Sequence, residues 1–278
     1  MNQSYIAGGA RLPYLDDAGG GVPVIFLHPT PLDHFYWLPL INHLSNVRAI
    51  IPDLRGHGAS ELGTDLPIGG FSRVPDAPTL TMAHLASDIV GLLDHLALHE
   101  AVFVGCSIGG YVMLELWRRI PERMRGLAFV CSKPQPDAEA NFIKRVDTIV
   151  RARAGSREEL FDGMTQASIG ASARTQHPSI VPELRSRMVL SSEAIVAVQA
   201  GLAARPDSVP TVTTIRVPVF GVSGGEDFAV SPVEMEALSA APGGCELHTL
   251  ADAGHFAAYE QPERVSELLA PWLRQFGV

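Results

Sequence analysis

Cysteine is scarce in this chain: three occur in 278 residues, at positions 106, 131 and 245. An odd number at scattered spacing builds no disulfide framework and no metal-type cluster, so a reducing compartment is the simplest reading. Basic residues are few as well. Twenty-one Lys and Arg stand against 30 Asp and Glu, a formal net charge of −9, and they form no long run. That balance argues against nucleic acid and against an anionic membrane surface as partners. No apolar stretch reaches transmembrane length without a charge. The start, Met1-Asn-Gln-Ser-Tyr5, has neither the basic segment nor the apolar core of a secretory leader, so the expected location is cytoplasmic. Neither repeats nor low-complexity tracts are visible. The remaining composition, 46% hydrophobic and 18% charged, suits a globular chain with one large core or a core plus an accessory unit.

What is present is a rhythm. Val22-Pro-Val-Ile-Phe-Leu27, Val47-Arg-Ala-Ile-Ile51, Ala101-Val-Phe-Val104, Leu127-Ala-Phe-Val-Cys131, Val217-Pro-Val-Phe-Gly-Val222 and Glu246-Leu-His-Thr-Leu250 read as strands. Helical patterns lie between them. One is expected from Phe35 to Ser45; another follows the Gly/Pro-rich loop at 54–78, with Thr79 or Thr81 as its cap. That second helix carries Met82, Leu85, Ile89, Leu92, Leu93 and Leu96 at helical spacing, and a last helix carries Val265, Leu268, Leu269, Trp272, Leu273 and Phe276. β-Branched strands without clean alternation, separated by helices, imply a mostly parallel sheet buried on both faces. Tyr5 to Leu15 reads as an antiparallel hairpin at its edge.

Between Lys133 and Pro210 the rhythm breaks, with four amphipathic helices and no strand. One is expected over Asp137–Ala154, one behind a capping box at Ser156-Arg-Glu-Glu159, one from Pro182 and one from Ser191 or Ser192. A single crossover needs far fewer residues, so this block is expected to be a helical cap. The expected organisation is a core over 1–132, a cap over 133–210 and the rest of the core over 211–278.

Gly105-Cys-Ser107-Ile-Gly109 lies where a strand turns at once into a helix. Glycines on either side of the serine leave room for a strained turn that projects the hydroxyl clear of the sheet. Alone, the pentapeptide is a weak signal, and a structural turn is its bland reading. A serine hydroxyl needs a histidine base oriented by a carboxylate, and in an open parallel sheet these hang beyond the carboxyl ends of strands. Ser223-Gly-Gly-Glu-Asp227 follows one late strand, and Ala251-Asp-Ala-Gly-His255 follows the next. Ser, Asp, His is the chain order such an architecture requires.

Four motifs in order, His28-Pro-Thr-Pro31, Asp53-Leu-Arg-Gly-His-Gly-Ala-Ser60, Gly-Cys-Ser107-Ile-Gly and Ala-Gly-His255 with Glu260-x-Pro262, resemble the α/β-hydrolase superfamily. The match spans nearly everything except the helical insert, and small bacterial carboxylesterases and enol-lactone hydrolases look most similar. The resemblance implies an α/β-hydrolase fold with an eight-stranded, mostly parallel sheet. It implies Ser107 as nucleophile, His255 as general base and Asp227 as the acid. Family members place a proline four positions after the acid, whereas Pro232 comes five after Asp227; a one-residue insertion is therefore assumed, and Asp227 is preferred to Glu226. Asp137, after the Leu127–Cys131 strand, is too far away.

The resemblance also implies an oxyanion hole made by the N–H of Ile108 and one N–H from the loop after the third strand. Pro29 and Pro31 have no N–H, which leaves Thr30 as the donor there. His28 is expected to brace that loop, and His57 to be a structural loop residue. His34 either faces substrate or sits satisfied elsewhere. Trp37, Phe142 and Met164 are further candidate substrate contacts, with Ile143 and Met188 as plausible cap lining, although a helix–helix core is the more usual place for each of the four cap residues. The expected function is hydrolysis of a small, moderately apolar ester or lactone without a cofactor or metal. Acyl transfer, peracid formation, carbon–carbon bond hydrolysis and a non-catalytic binding module remain alternatives, because the fold hosts many activities.

Overall fold

In a computed structural model, described here over residues 3–68 and 74–277, eight strands form one sheet. They are β1 (Gln3–Ala7), β2 (Ala10–Asp16), β3 (Val22–Leu27), β4 (Val47–Pro52), β5 (Ala101–Cys106), β6 (Met124–Val130), β7 (Val219–Gly224) and β8 (Cys245–Leu250). Their spatial order is β1-β2-β4-β3-β5-β6-β7-β8. β1 and β2 pair antiparallel, β2 joins β4 antiparallel, and every other pairing is parallel. The edge hairpin and the parallel core both follow the sequence reading. Every residue of β5 is buried, as a strand covered by helices on both faces requires.

The helices are α1 (Leu38–Ile41), α2 (Met82–His95), α3 (Ile108–Arg119), α4 (Glu139–Arg153), α5 (Arg157–Ser168), α6 (Ala171–Gln176), α7 (Ile180–Ser186), α8 (Ser192–Ala203), α9 (Val209–Val212), α10 (Pro232–Met235), α11 (Ala257–Glu260) and α12 (Pro262–Leu273). Thr81, and not Thr79, caps α2: its side chain accepts the His84 N–H at 3.2 Å. The stripe read from the sequence is the buried face of that helix, with Leu85, Ile89, Leu92 and Leu93 at most 1% exposed. The helix expected over Phe35–Ser45 is shorter and tighter, a 3₁₀ turn at His34–Trp37 running into α1. Residues 69–73 of the long loop at 54–78 lie outside the described residues.

The segment between β6 and β7 holds six helices, α4–α9, and no strand, where the sequence reading expected four helices, and the boundaries differ. The capping box at Ser156 does not form: its side chain accepts no cap hydrogen bond, and its backbone, at φ −80° and ψ 37°, is not the extended conformation of a cap residue. The same Ser-x-x-Glu pattern does make a capping box at Ser231 and Glu234, where Pro232 occupies the first turn of α10. The helix expected from Pro182 starts two residues earlier, because the first turn of a helix needs no N–H from proline. The insert leaves and re-enters the sheet layer at one place: Ser208 N–H donates to the Pro134 carbonyl at 2.9 Å. It is also seated on the core. Leu80 N–H donates to Ala197 O at 3.0 Å, and a Cβ on Gly201 would lie 1.7 Å from Leu80 O, so only glycine permits that approach.

Candidate active site

Ser107 occupies the turn from β5 into α3 with φ 52° and ψ −115°, a strained conformation for a residue with a Cβ. Several contacts hold it there. Its N–H donates to Val130 O at 3.1 Å, and its carbonyl accepts the Ser132 hydroxyl at 2.8 Å. The flanking glycines are steric necessities. A Cβ on Gly109 would sit 2.2 Å from Leu27 O, and one on Gly105 would sit 2.6 Å from the Gly109 carbonyl carbon.

Two further loops converge on this turn from the ends of β7 and β8. His255 Nδ1 lies 2.8 Å from Asp227 Oδ2, with both side chains buried. Asp227 Oδ1 accepts the Ala229 and Val230 N–H groups at 2.8 and 3.1 Å, which fixes the rotation of the carboxylate. Because its partner is an ionised carboxylate, Nδ1 carries the proton and the other ring nitrogen stays free to act as a base. Burial alone would lower the His255 pKa, but the charge and hydrogen bond of Asp227, assisted by Glu260, outweigh it and raise the value. Burial likewise pushes Asp227 up, and His255 with the two backbone donors brings its pKa below the ordinary carboxylate range. Ser107 and His255 line one cavity of about 260 Å³.

Of the two acids weighed in the sequence, Asp227 meets the imidazole and Glu226 turns away. Glu226 accepts the Ser172 N–H at 2.9 Å and the Ser172 hydroxyl at 2.6 Å. Asp137 is engaged elsewhere, by Arg145 and Arg205. Thr30 lines the cavity, and its hydroxyl lies 2.9 Å from His57 Nε2. Since His57 Nδ1 faces the Arg55 carbonyl at 3.0 Å, that nitrogen donates, and Nε2 accepts from the Thr30 hydroxyl. His28 Nε2 accepts the Leu54 N–H at 2.9 Å and its Nδ1 donates to Pro29 O. Burial lowers His28 to about 4 and His57 to about 3, so both are neutral struts for the Thr30 loop. Ile108 opens α3, where its N–H has no acceptor within the helix.

Other expected contacts do not reach the cavity wall. His34 gives its Nδ1 to Asp53 at 2.8 Å, and Trp37 is fully buried against Phe26 and Tyr36. Phe142 packs on the core and Ile143 is 59% exposed, while Met188 is buried away from the lining. Met164 does line it. Its wall is mixed: Lys133, Asn141, Lys144, Arg145, Thr148 and Gln199 share it with Pro31, Tyr111, Leu202, Phe228 and Val230.

Sequence reasoning missed how the insert is tied to the histidine loop. Glu260 is buried and accepts three backbone N–H groups, from Gly254 at 2.8 Å, Gly170 at 3.1 Å and Phe256 at 3.1 Å. His255 N–H donates to Ser168 O at 2.8 Å. Gly170 and Gly254 touch backbone to backbone, since a Cβ on Gly254 would lie 2.3 Å from Gly170 N. The Glu260-x-Pro262 spacing was the available signal. Cys106 and Cys131 behave as buried thiols: Cys106 Sγ accepts the Tyr36 hydroxyl at 3.2 Å, and burial pushes both well above the usual thiol range. Cys131, Asp227 and His255 put possible ligand atoms within 4.8 Å of one another, and Asp227 and His255 are hydrogen-bonded to each other.

Comparison with known proteins places this arrangement in context. The chain is 27% identical to the AB hydrolase superfamily protein YisY of Bacillus subtilis, covering 92% of this chain and 93% of that one. It is 25% identical to 3-oxoadipate enol-lactonase 2 of Acinetobacter baylyi over 81% and 78% of the two chains. A thermophilic esterase from Thermogutta terrifontis, solved with malate bound, superposes with a TM-score of 0.87 at 29% identity, covering 99% of this chain and 97% of that one. The alpha/beta hydrolase family profile matches residues 24–268, from β3 into α12, and the chain therefore belongs to the alpha/beta hydrolase family.

Proposed function

We propose that the chain is a cofactor-independent serine hydrolase acting on small carboxylic esters or lactones. The observation that carries this reading is the Asp227–His255 pair, buried and hydrogen-bonded at the cavity that the strained Ser107 turn also lines. Ser107 Oγ attacks the carbonyl carbon while His255 Nε2 takes the hydroxyl proton. Asp227 holds the imidazole in the required tautomer and stabilises the imidazolium. The Thr30 and Ile108 N–H groups receive the developing oxyanion. The alkoxide leaves with the proton from His255, and a water deprotonated by the same nitrogen then releases the acid and restores Ser107.

The helical insert serves as the cap over this centre, and the chain's closure at Pro134 and Ser208 supports treating it as a unit. The polar side chains in the wall offer water hydrogen bonds near the acyl-enzyme, which supports cleavage over acyl transfer. A panel of small esters and lactones, assayed with and without an added alcohol acceptor, tests this. Expected are release of free acid, little partition to the alcohol and loss of turnover in Ser107→Ala. Preferential transfer to the alcohol would move the assignment to an acyltransferase.

A further inference from the structure

The residues of α4 that face the cavity are Asn141, Lys144, Arg145 and Thr148. They stand at i, i+3, i+4 and i+7, one face of a helix. An adjacent face, Phe142, Val146 and Ile149, packs against the hydrophobic core. The helix is thus amphipathic, with its polar face turned to the cavity that holds Ser107 and His255.

Charge makes that face unusual. The chain carries a formal net charge of −9, yet three cations line the cavity, Lys133, Lys144 and Arg145, against one carboxylate, Asp137. Neighbours do not cancel the excess. Lys133 pairs with Glu234, and Asp137 is shared between Arg145 and Arg205. With the ionised Asp227 held behind His255, four cations meet three carboxylates, and Lys144, an exposed residue, has no ion pair among the described residues. Its neighbour one turn on, Asp147, pairs with Arg151 at 4.0 Å. Arg145 is oriented as well as charged, since its Nη1 donates to Gln199 Oε1 at 2.9 Å. Cations gathered in a partly enclosed site attract an anion more strongly than they would in bulk water.

We propose that this face of α4 binds a carboxylate carried by the substrate, so that the molecule presented to Ser107 is an ester or lactone with a second, ionised acid group. The assignment of substrate class rests on the serine-hydrolase reading above; the anion site itself does not. Lys144 supplies the uncompensated charge, Arg145 a fixed donor, and Asn141 and Thr148 neutral hydrogen-bonding groups on either side.

Two measurements test it. The first compares kcat/KM for a matched pair, the 4-nitrophenyl esters of butanoate and of hemisuccinate, in wild type and Lys144→Gln. The second titrates monomethyl succinate into Ser107→Ala protein by calorimetry, a readout independent of turnover, and repeats it in the Ser107→Ala, Lys144→Gln double variant. Losing one charge-assisted hydrogen bond predicts a fall of about tenfold or more, both in the preference for the anionic ester and in binding of the half-ester. The preference should also shrink as salt is raised. Equal turnover of the two esters with no half-ester binding overturns the anion site while leaving the hydrolase intact. Half-ester binding that depends on Lys144, with neither ester cleaved, upholds the site and refutes the hydrolase. Binding that Lys144→Gln leaves unaltered overturns the assignment to this face.

Discussion

Replacing Asp227 by Asn is the sharpest perturbation the geometry offers, because the environment dictates which way the amide must face. Oδ1 accepts two backbone N–H groups, from Ala229 and Val230, and Oδ2 faces His255 Nδ1. An Asn that keeps its oxygen on the backbone donors must turn its NH₂ toward the imidazole. The reverse rotamer would set NH₂ against two N–H groups in a fully buried site and leave both unsatisfied, at about 1–3 kcal/mol each. The first arrangement therefore wins. His255 must then accept at Nδ1 and carry its proton on Nε2, the wrong tautomer for a base. A loss of about 10⁴ in kcat follows, equivalent to about 5.4 kcal/mol of barrier. The pH profile should move as well. In the native protein burial lowers the His255 pKa and Asp227 more than offsets it, so kcat/KM should fall with acidification through an inflection above the ordinary imidazole value of about 6.5. Without the carboxylate charge burial dominates, and the inflection of the residual activity should drop below that value. The assay is ester hydrolysis across pH in the two proteins, with circular dichroism to show that both fold. Less than a tenfold loss, or an unmoved inflection, would refute the reasoning.

Other expectations follow from single contacts. Gly109→Ala pushes a Cβ to within 2.2 Å of Leu27 O and should cost about 3 kcal/mol in urea unfolding; an unchanged midpoint would contradict the packing described. Glu260→Ala strips one buried carboxylate from three backbone donors, so a loss of about 3 kcal/mol or more is expected by the same measurement, with kcat falling because the His255 loop loses its tie to the insert. Thr30→Ala keeps the backbone N–H and removes only the hydroxyl bound to His57, so most activity should survive. A collapse matching that of Ser107→Ala would make the hydroxyl, and not the amide, the working group.

The sheet was legible because its strands are runs of β-branched residues whose burial on both faces needs no knowledge of partners. The turn at Ser107 was legible because two glycines and a strand-to-helix switch are local signals, and Asp227 emerged from chain order. Legibility failed where an outcome depends on distant groups. Ser156-Arg-Glu-Glu159 and Ser231-Pro-Val-Glu234 carry the same cap pattern, yet only the second closes, because Ser231 adopts the extended backbone of a cap residue (φ −71°, ψ 152°) and Ser156 (φ −80°, ψ 37°) does not. His34 could not be assigned until Asp53 was seen to hold it. The polar stripe of α4 stands in the sequence at helical spacing, but nothing local says that it faces a cavity and not solvent. For that reason the cations on the cavity wall were not foreseen.

Labelling with a fluorophosphonate, read by intact mass and peptide mapping, tests the central claim most directly. One adduct on Ser107, formed with parallel loss of ester turnover and strongly slowed in His255→Ala, is the predicted result. A folded protein that takes no adduct, or takes it on another residue while ester turnover persists, would contradict the account.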